Sequence, residues 1–111
     1  LRFAQPHQSD DRLWKLWQKI DQRLDYAWSL AELGQLACVS GEHLRRLCKK
    51  ALGRSPMQQL TFLRMQKASQ LLLETDEKIE TIARMTGYKN AFHFSNVFME
   101  WVGIRPSEFR G

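Results

Sequence analysis

Two cysteines, three prolines and six glycines in 111 residues exclude several kinds of protein at once. Cys38 and Cys48 show no CxxC or Cys/His ligand spacing, so neither a zinc site nor a redox motif is indicated, and both are expected on the apolar sides of helices as buried reduced thiols. With 43% hydrophobic and 26% charged residues, so little proline and glycine rules out collagen-like and low-complexity disordered chains. No apolar run approaches the ~18 residues of a membrane span and no apolar leader opens the chain, so a soluble cytoplasmic domain with no membrane partner is expected. Strand-like alternation is missing as well. His7, His43 and His93 stand in separate segments, without an adjoining nucleophile, carboxylate pair or glycine-rich phosphate loop. Catalysis is therefore not expected, and no cofactor or metal is implied.

The chain is long enough for one domain that buries somewhat under ~70% of its unfolded surface, so a core needs no staples. The segment 1–9 (LRFAQPHQS) is polar, aperiodic and begins without methionine, as a linker tail from a larger protein would.

What is present is a duplication. Leu30, Leu33, Leu36 and Val39 match Ile79, Ile82, Met85 and Tyr88 at a spacing of 49. From Ser40 onward, Leu44, Leu47, Cys48, Ala51, Gly53 and Pro56 match Phe94, Val97, Phe98, Trp101, Gly103 and Pro106 at a spacing of 50. One residue has been inserted where a short turn separates two amphipathic segments, as expected of two helix-turn-helix units whose length varies only in the loop.

Seven helical segments follow from periodicity and end signals. Leu13, Leu16, Trp17, Ile20 and Leu24 form a packing stripe from Ser9 or Asp10 to about Leu24, with Trp14 at its edge expected at the core periphery, or else as a contact surface for the rest of a larger protein. Ser29 and Glu32 form a capping box, with Trp28 placed to pack on Leu33, for a helix ending near Ala37 or Cys38. Ser40 caps a helix from Gly41 to about Leu52 that stops at Gly53. A second box, Ser55 to Gln58 with Pro56 at the first helical position, opens a long helix to about Glu74 that buries Leu60, Leu63, Ala68, Leu71 and Leu72. Asp76 or Glu77 is expected to open a helix through Met85. Two more run from about Asn90 to Trp101 and from Pro106 to Phe109. The expected organisation is a first lobe over 10–54, a linker helix over 55–75 long enough to separate the lobes rigidly, and a second lobe over 76–111.

Charge is sorted along this scheme. Residues 1–39 carry five basic and five acidic side chains, residues 40–75 seven and two, and residues 76–111 five and five, so the whole excess of +5 lies in the middle segment. An excess confined to the element expected to dock is what phosphate neutralisation requires. Leu44, Leu47, Cys48 and Ala51 form the buried stripe there, leaving Glu42, Arg45, Arg46 and Lys49 outward. Arginine donates two parallel hydrogen bonds to guanine and glutamate accepts from cytosine, so Arg45 and Arg46 are expected to contact bases and Glu42 to select against wrong ones. Ser40, Lys49, Lys50 and Arg54 are assigned to phosphates, and His43 is placed with them. An ion pair at Arg46 is disfavoured, because Glu42 and Glu74 are the only acids in 40–75.

In the second copy Phe94, Val97, Phe98 and Trp101 take the buried stripe. Phe92, Ser95, Asn96 and Met99 then face outward, with Lys89, Asn90, Ala91 and His93 near the helix start. Asn96 pairs bidentately with adenine, Ser95 reaches a base edge, and Ala91 or Phe92 reaches a thymine methyl, unless Phe92 folds back onto its own lobe. Lys89, Asn90 and His93 are assigned to the backbone. With no net charge, this lobe is expected to supply specificity more than electrostatic affinity.

Val39-Ser40, Leu44-Arg45-Arg46-Leu47-Cys48-Lys49 and Gly53-x-Ser55-Pro56 resemble the first half of the AraC/XylS-type DNA-binding domain. Ile82-Ala83, Gly87-Tyr88, Phe94-Ser95, Phe98, Gly103-Ile104-Arg105-Pro106-Ser107 and Phe109-Arg110 resemble its second-half signature. The resemblance covers roughly residues 10 to 110. It implies an all-α fold of seven helices in two homeodomain-like helix-turn-helix lobes, with recognition helices in successive major grooves about one helical turn, ~34 Å, apart. It also implies a bacterial transcription regulator, commonly an activator that contacts RNA polymerase, with an effector or dimerisation domain before Leu1. Gly34 replaces a usual alanine, Cys48 a frequent aromatic, Asn96 a basic residue, Phe92 a smaller residue, and Glu100-Trp101 a usually basic pair. A DNA-targeting module of a repair enzyme and a helical protein-interaction module are the alternatives, separable by salt-sensitive duplex binding.

Overall fold

The computed structural model describes the backbone of residues 8–111 and the side chains of residues 11–111. The expected linker tail therefore lies mostly outside the described residues. Among the described residues seven helices follow one another: α1 (Gln8–Asp21), α2 (Leu30–Leu36), α3 (Gly41–Leu52), α4 (Pro56–Glu74), α5 (Ile79–Met85), α6 (Ala91–Val102) and α7 (Pro106–Arg110). None is long and apolar enough to cross a membrane. The described residues divide into two compact units, one of residues up to 23 and 28–59, the other of residues 24–27 and 60–111.

In the first unit Leu13, Leu16, Trp17, Ile20, Leu33, Ala37, Leu44 and Cys48 are buried. α1 begins at Gln8, one residue before the expected Ser9 or Asp10, and ends at Asp21 rather than Leu24. The N–H groups of Gln22 and Arg23 turn to the i−3 carbonyls of Lys19 and Ile20, at 3.2 and 3.0 Å, a tightening that closes the helix. Trp14 is 61% exposed and not at the core periphery, because it falls beside the stripe that Leu13, Leu16 and Trp17 bury. The capping box of α2 is complete: Ser29 Oγ accepts from Glu32 N–H at 3.1 Å and Glu32 Oε1 accepts from Ser29 N–H at 3.0 Å. The box at α4 is also complete, with Gln58 Oε1 accepting from Ser55 N–H at 2.9 Å and Ser55 Oγ from Gln58 N–H at 3.2 Å.

In the second unit Met65, Ala68 and Leu72 of α4 pack with Ile82 and Ala83 of α5, Tyr88, and Phe94 and Phe98 of α6. Val97 and Phe109 cover the edges. Phe98 meets Phe94 at 5.8 Å and Phe109 at 5.4 Å between ring centres, within the range of favourable tilted aromatic pairs. α5 starts at Ile79, later than Asp76 or Glu77, for a specific reason. Arg110 donates Nε–H to the Leu72 carbonyl at 3.0 Å, Nη1 to Glu77 at 2.7 Å and Nη2 to Thr75 at 3.0 Å. The Thr75 hydroxyl also accepts from Glu77 N–H at 3.2 Å. These bonds hold residues 75–77 in a non-helical path.

Two further expectations are corrected. Cys38 is exposed, because it sits in the turn between α2 and α3 with φ +61° rather than on a helical face. Ala51 and Trp101, the fourth members of the two buried stripes, are exposed, as are Leu36 and Met85 at matched positions of α2 and α5. Ala51 and Trp101 lie in the last turns of their helices, where the helix outruns the core beneath it, whereas Leu36 and Met85 fall beside the face that Leu33 and Ala37, and Ile82 and Thr86, bury.

Candidate nucleic-acid interface

Both candidate recognition helices are built alike. Ser40 Oγ accepts from His43 N–H at 3.1 Å at the start of α3, and Asn90 Oδ1 accepts from His93 N–H at 2.8 Å at the start of α6. Each cap satisfies a donor that the first turn leaves unpaired. The residue between Tyr88 and Asn90 that has no counterpart in the first copy is Lys89.

The buried residues then fix how each helix is turned. Leu44 and Cys48 are fully buried in α3 and Leu47 partly so, which leaves Glu42, Arg45, Arg46, Lys49 and Lys50 exposed, with His43 intermediate. Phe94 and Phe98 do the same for α6, leaving Phe92, His93, Asn96 and Met99 exposed and Ala91 and Ser95 half-buried. Phe92 is 78% exposed, so it does not fold back onto its lobe. His93 sets its ring edge-on to Tyr88, 5.4 Å between centres.

The cations of α3 are not equivalent. Glu42 Oε1 accepts from Arg45 Nη1 at 2.7 Å, and Arg46 Nη1 lies 3.5 Å from Glu42 Oε2. The scarcity of acids thus does not leave Arg46 without an ion pair: the i+3 and i+4 positions bring both guanidiniums to one carboxylate. Lys49 Nζ reaches the Gly53 carbonyl at 3.4 Å, a long contact that leaves the ammonium largely to solvent. Arg54 donates Nη1 to Gln59 Oε1 at 2.7 Å and is half-buried, so it braces the turn into α4 as well as adding charge.

Sequence reasoning missed three residues of the second lobe. Lys78, Thr81 and Arg84 of α5 and its cap line one concave surface of about 470 Å³ together with Lys89, Asn90, Ala91 and Glu80. The lobe is neutral in sum, yet three cations and one acid meet here, beside the start of α6. The neutral sum of the lobe therefore does not mean that charge is evenly spread over its surface. The available signal was the three-residue spacing of Lys78, Thr81 and Arg84.

The turn before α6 is set by Arg64 of α4. Its Nε–H donates to the Leu24 carbonyl at 3.0 Å and Nη2 to Tyr26 at 2.8 Å, while Cζ lies 5.7 Å from the Tyr88 ring centre. Burial lowers the Arg64 pKa from its ordinary value and raises that of Tyr88, and each side chain partly offsets the other's shift. Gly87 fits this arrangement because an added Cβ would lie 2.6 Å from the Leu24 oxygen and 2.7 Å from the Arg64 guanidinium, and its φ is +93°.

The model of a helix-turn-helix domain family matches residues 33–111. A lactose operon transcription activator of Staphylococcus xylosus is 44% identical over 72 residues, which make up 65% of this chain and 26% of that protein. The chain thus spans about a quarter of that relative's length. A solved transcriptional regulator of Chromobacterium violaceum, of the AraC-type DNA-binding-domain proteins, has a TM-score of 0.86 at 28% identity, covering 92% of this chain and 91% of its own. The C-terminal domain of AraT, a response regulator from Geobacillus stearothermophilus, has a TM-score of 0.83 at 32% identity, covering 89% and 83%. The duplicated, capped helix pairs and these likenesses agree: the chain belongs to the AraC-type helix-turn-helix family of DNA-binding domains of transcriptional regulators.

Proposed function

We propose that the chain reads double-stranded DNA at two sites, α3 entering one major groove and α6 the next. The observation that carries this is the matched build of the two helices: each is capped at the same position, buried by the same stripe and left with an outward face of side chains suited to base edges. Arg45 and Arg46 contact guanine, and Asn96 and Ser95 contact adenine or neighbouring edges. Phe92, standing clear of its lobe, packs with Ala91 against thymine methyl groups. Ser40, His43, Lys49, Lys50 and Arg54 hold phosphates for the first lobe. Lys89, Asn90 and His93, joined by Lys78, Thr81 and Arg84, do so for the second.

The chain acts as part of a larger regulator, with an effector or dimerisation domain elsewhere and RNA polymerase as the partner in activation. That reading is supported by a relative named as a transcription activator and by the small share of it that this chain spans. Binding titrations on a preferred and a scrambled duplex test the division of roles. Arg45→Ala or Arg46→Ala is expected to cost ~1–3 kcal/mol on the preferred duplex alone. Lys50→Gln or Lys78→Gln is expected to weaken both duplexes alike and to lower the salt slope by about one. Equal behaviour of the two classes contradicts the assignment.

A further inference from the structure

The carboxylate of Glu42 has both oxygens engaged by the two arginines expected to read guanine, at 2.7 Å from Arg45 Nη1 and 3.5 Å from Arg46 Nη1. The pairing turns this carboxylate toward the two guanidiniums, while its remaining lone pairs stay open to a further donor such as a cytosine amino group. Each guanidinium carries five N–H donors and commits one nitrogen to Glu42, so each keeps donors enough for a bidentate contact with guanine O6 and N7. The carboxylate also restricts two long side chains that otherwise sample many rotamers, which reduces the ordering needed when they meet a base. Within α3, Glu42 is the one acidic side chain, so on this helix it is the charge that opposes contact with phosphate.

We propose that Glu42 is a positioning residue that raises discrimination in two ways. It braces Arg45 and Arg46 toward guanine, and it penalises docking on duplexes whose bases offer the arginines nothing, where its charge approaches the phosphates without compensation. This rests on α3 being the recognition helix. All three side chains are exposed, so the pairs are weak enough in water to rearrange around a base.

The test uses this chain with Glu42→Gln and Glu42→Ala, two duplexes and a salt series. One duplex is selected by the unaltered chain from a random pool, and the other is its scramble. The expected result is tighter binding of both variants to the scramble, about three- to fivefold, with a steeper salt dependence, and no matching gain on the selected duplex. Discrimination between the two duplexes then falls by at least that factor. The proposal is overturned if both affinities rise in parallel, if neither changes, or if discrimination is lost only at a cytosine. If the unaltered chain prefers no duplex, or if Arg45→Ala and Arg46→Ala leave its preference intact, then α3 is not the reader and the inference falls with that reading.

Discussion

Residue by residue, the duplication shows one turn solved in two ways. Cys38 matches Gly87 at the spacing of 49, and both adopt left-handed backbone, φ +61° and +93°. A side chain there costs roughly 1–2 kcal/mol, which the first copy tolerates and the second avoids. Gly34 matches Ala83 in the same register. The first turn is one residue shorter, and a Cβ at Gly34 would lie 2.7 Å from the Val39 carbonyl oxygen. The departure from the family's usual alanine therefore follows from the close approach. In urea titrations Cys38→Gly is expected to raise stability by up to about 1 kcal/mol, and Gly34→Ala to lower it by about 1 kcal/mol or more despite alanine's better helix propensity. The reverse order contradicts this account of the turn.

Cys48 supplies a pH effect. Burial pushes its thiol from 9.0 to about 11, offset slightly by the adjacent Trp17 indole. Among the described residues, the buried Trp17 N–H has no hydrogen bond of standard geometry, and sulfur is only a weak acceptor for it. The folded state keeps the proton while the unfolded chain releases it, so the unfolded state binds fewer protons above about 9 and stability falls as pH rises from about 9 to 11. Cys48→Ala is expected to show a shallower alkaline decline, measured by denaturant titration at several pH values. An identical slope assigns the decline to other groups, such as the buried Tyr88.

At the scale of elements, the helices were legible because capping boxes, stop glycines and apolar spacing agreed with one another. The misplacements share a physical origin: periodicity records which face is apolar, not how far a core extends beneath it. That is why Ala51 and Trp101 fit the apolar spacing yet lie exposed, while Cys38 escapes the pattern because it lies in the turn after α2. The start of α5 was hidden for another reason. Arg110 reaches back across more than thirty residues to the carbonyls of Leu72, Thr75 and Glu77, and no local pattern reveals such a contact. Arg110→Ala removes three charge-assisted hydrogen bonds and is expected to cost about 2 kcal/mol in thermal unfolding, with Arg110→Lys recovering only part of it. An unchanged midpoint for Arg110→Ala contradicts this role.

For the whole molecule, net charge points to α3 as the first proposed interface and gives no sign of the cations grouped beside the second. A sum of zero over residues 76–111 is compatible with a local group of Lys78, Arg84 and Lys89, because charges are sorted by the fold and not by position in the chain. The family could be read from residues alone, since its second-half motif sets many side chains at fixed spacings. The pairing of Glu42 with both arginines could not, because it depends on where three side chains turn. The two matched helices and the separate cationic groups beside them underlie the central proposal, that this chain is a two-site reader of duplex DNA. Selection of preferred duplexes from a random pool by the purified chain, at two salt concentrations, tests it most directly. The expected result is two enriched blocks with centres about one helical turn apart, the first rich in guanine and the second in thymine and adenine. A single enriched block, or none at either salt concentration, contradicts it.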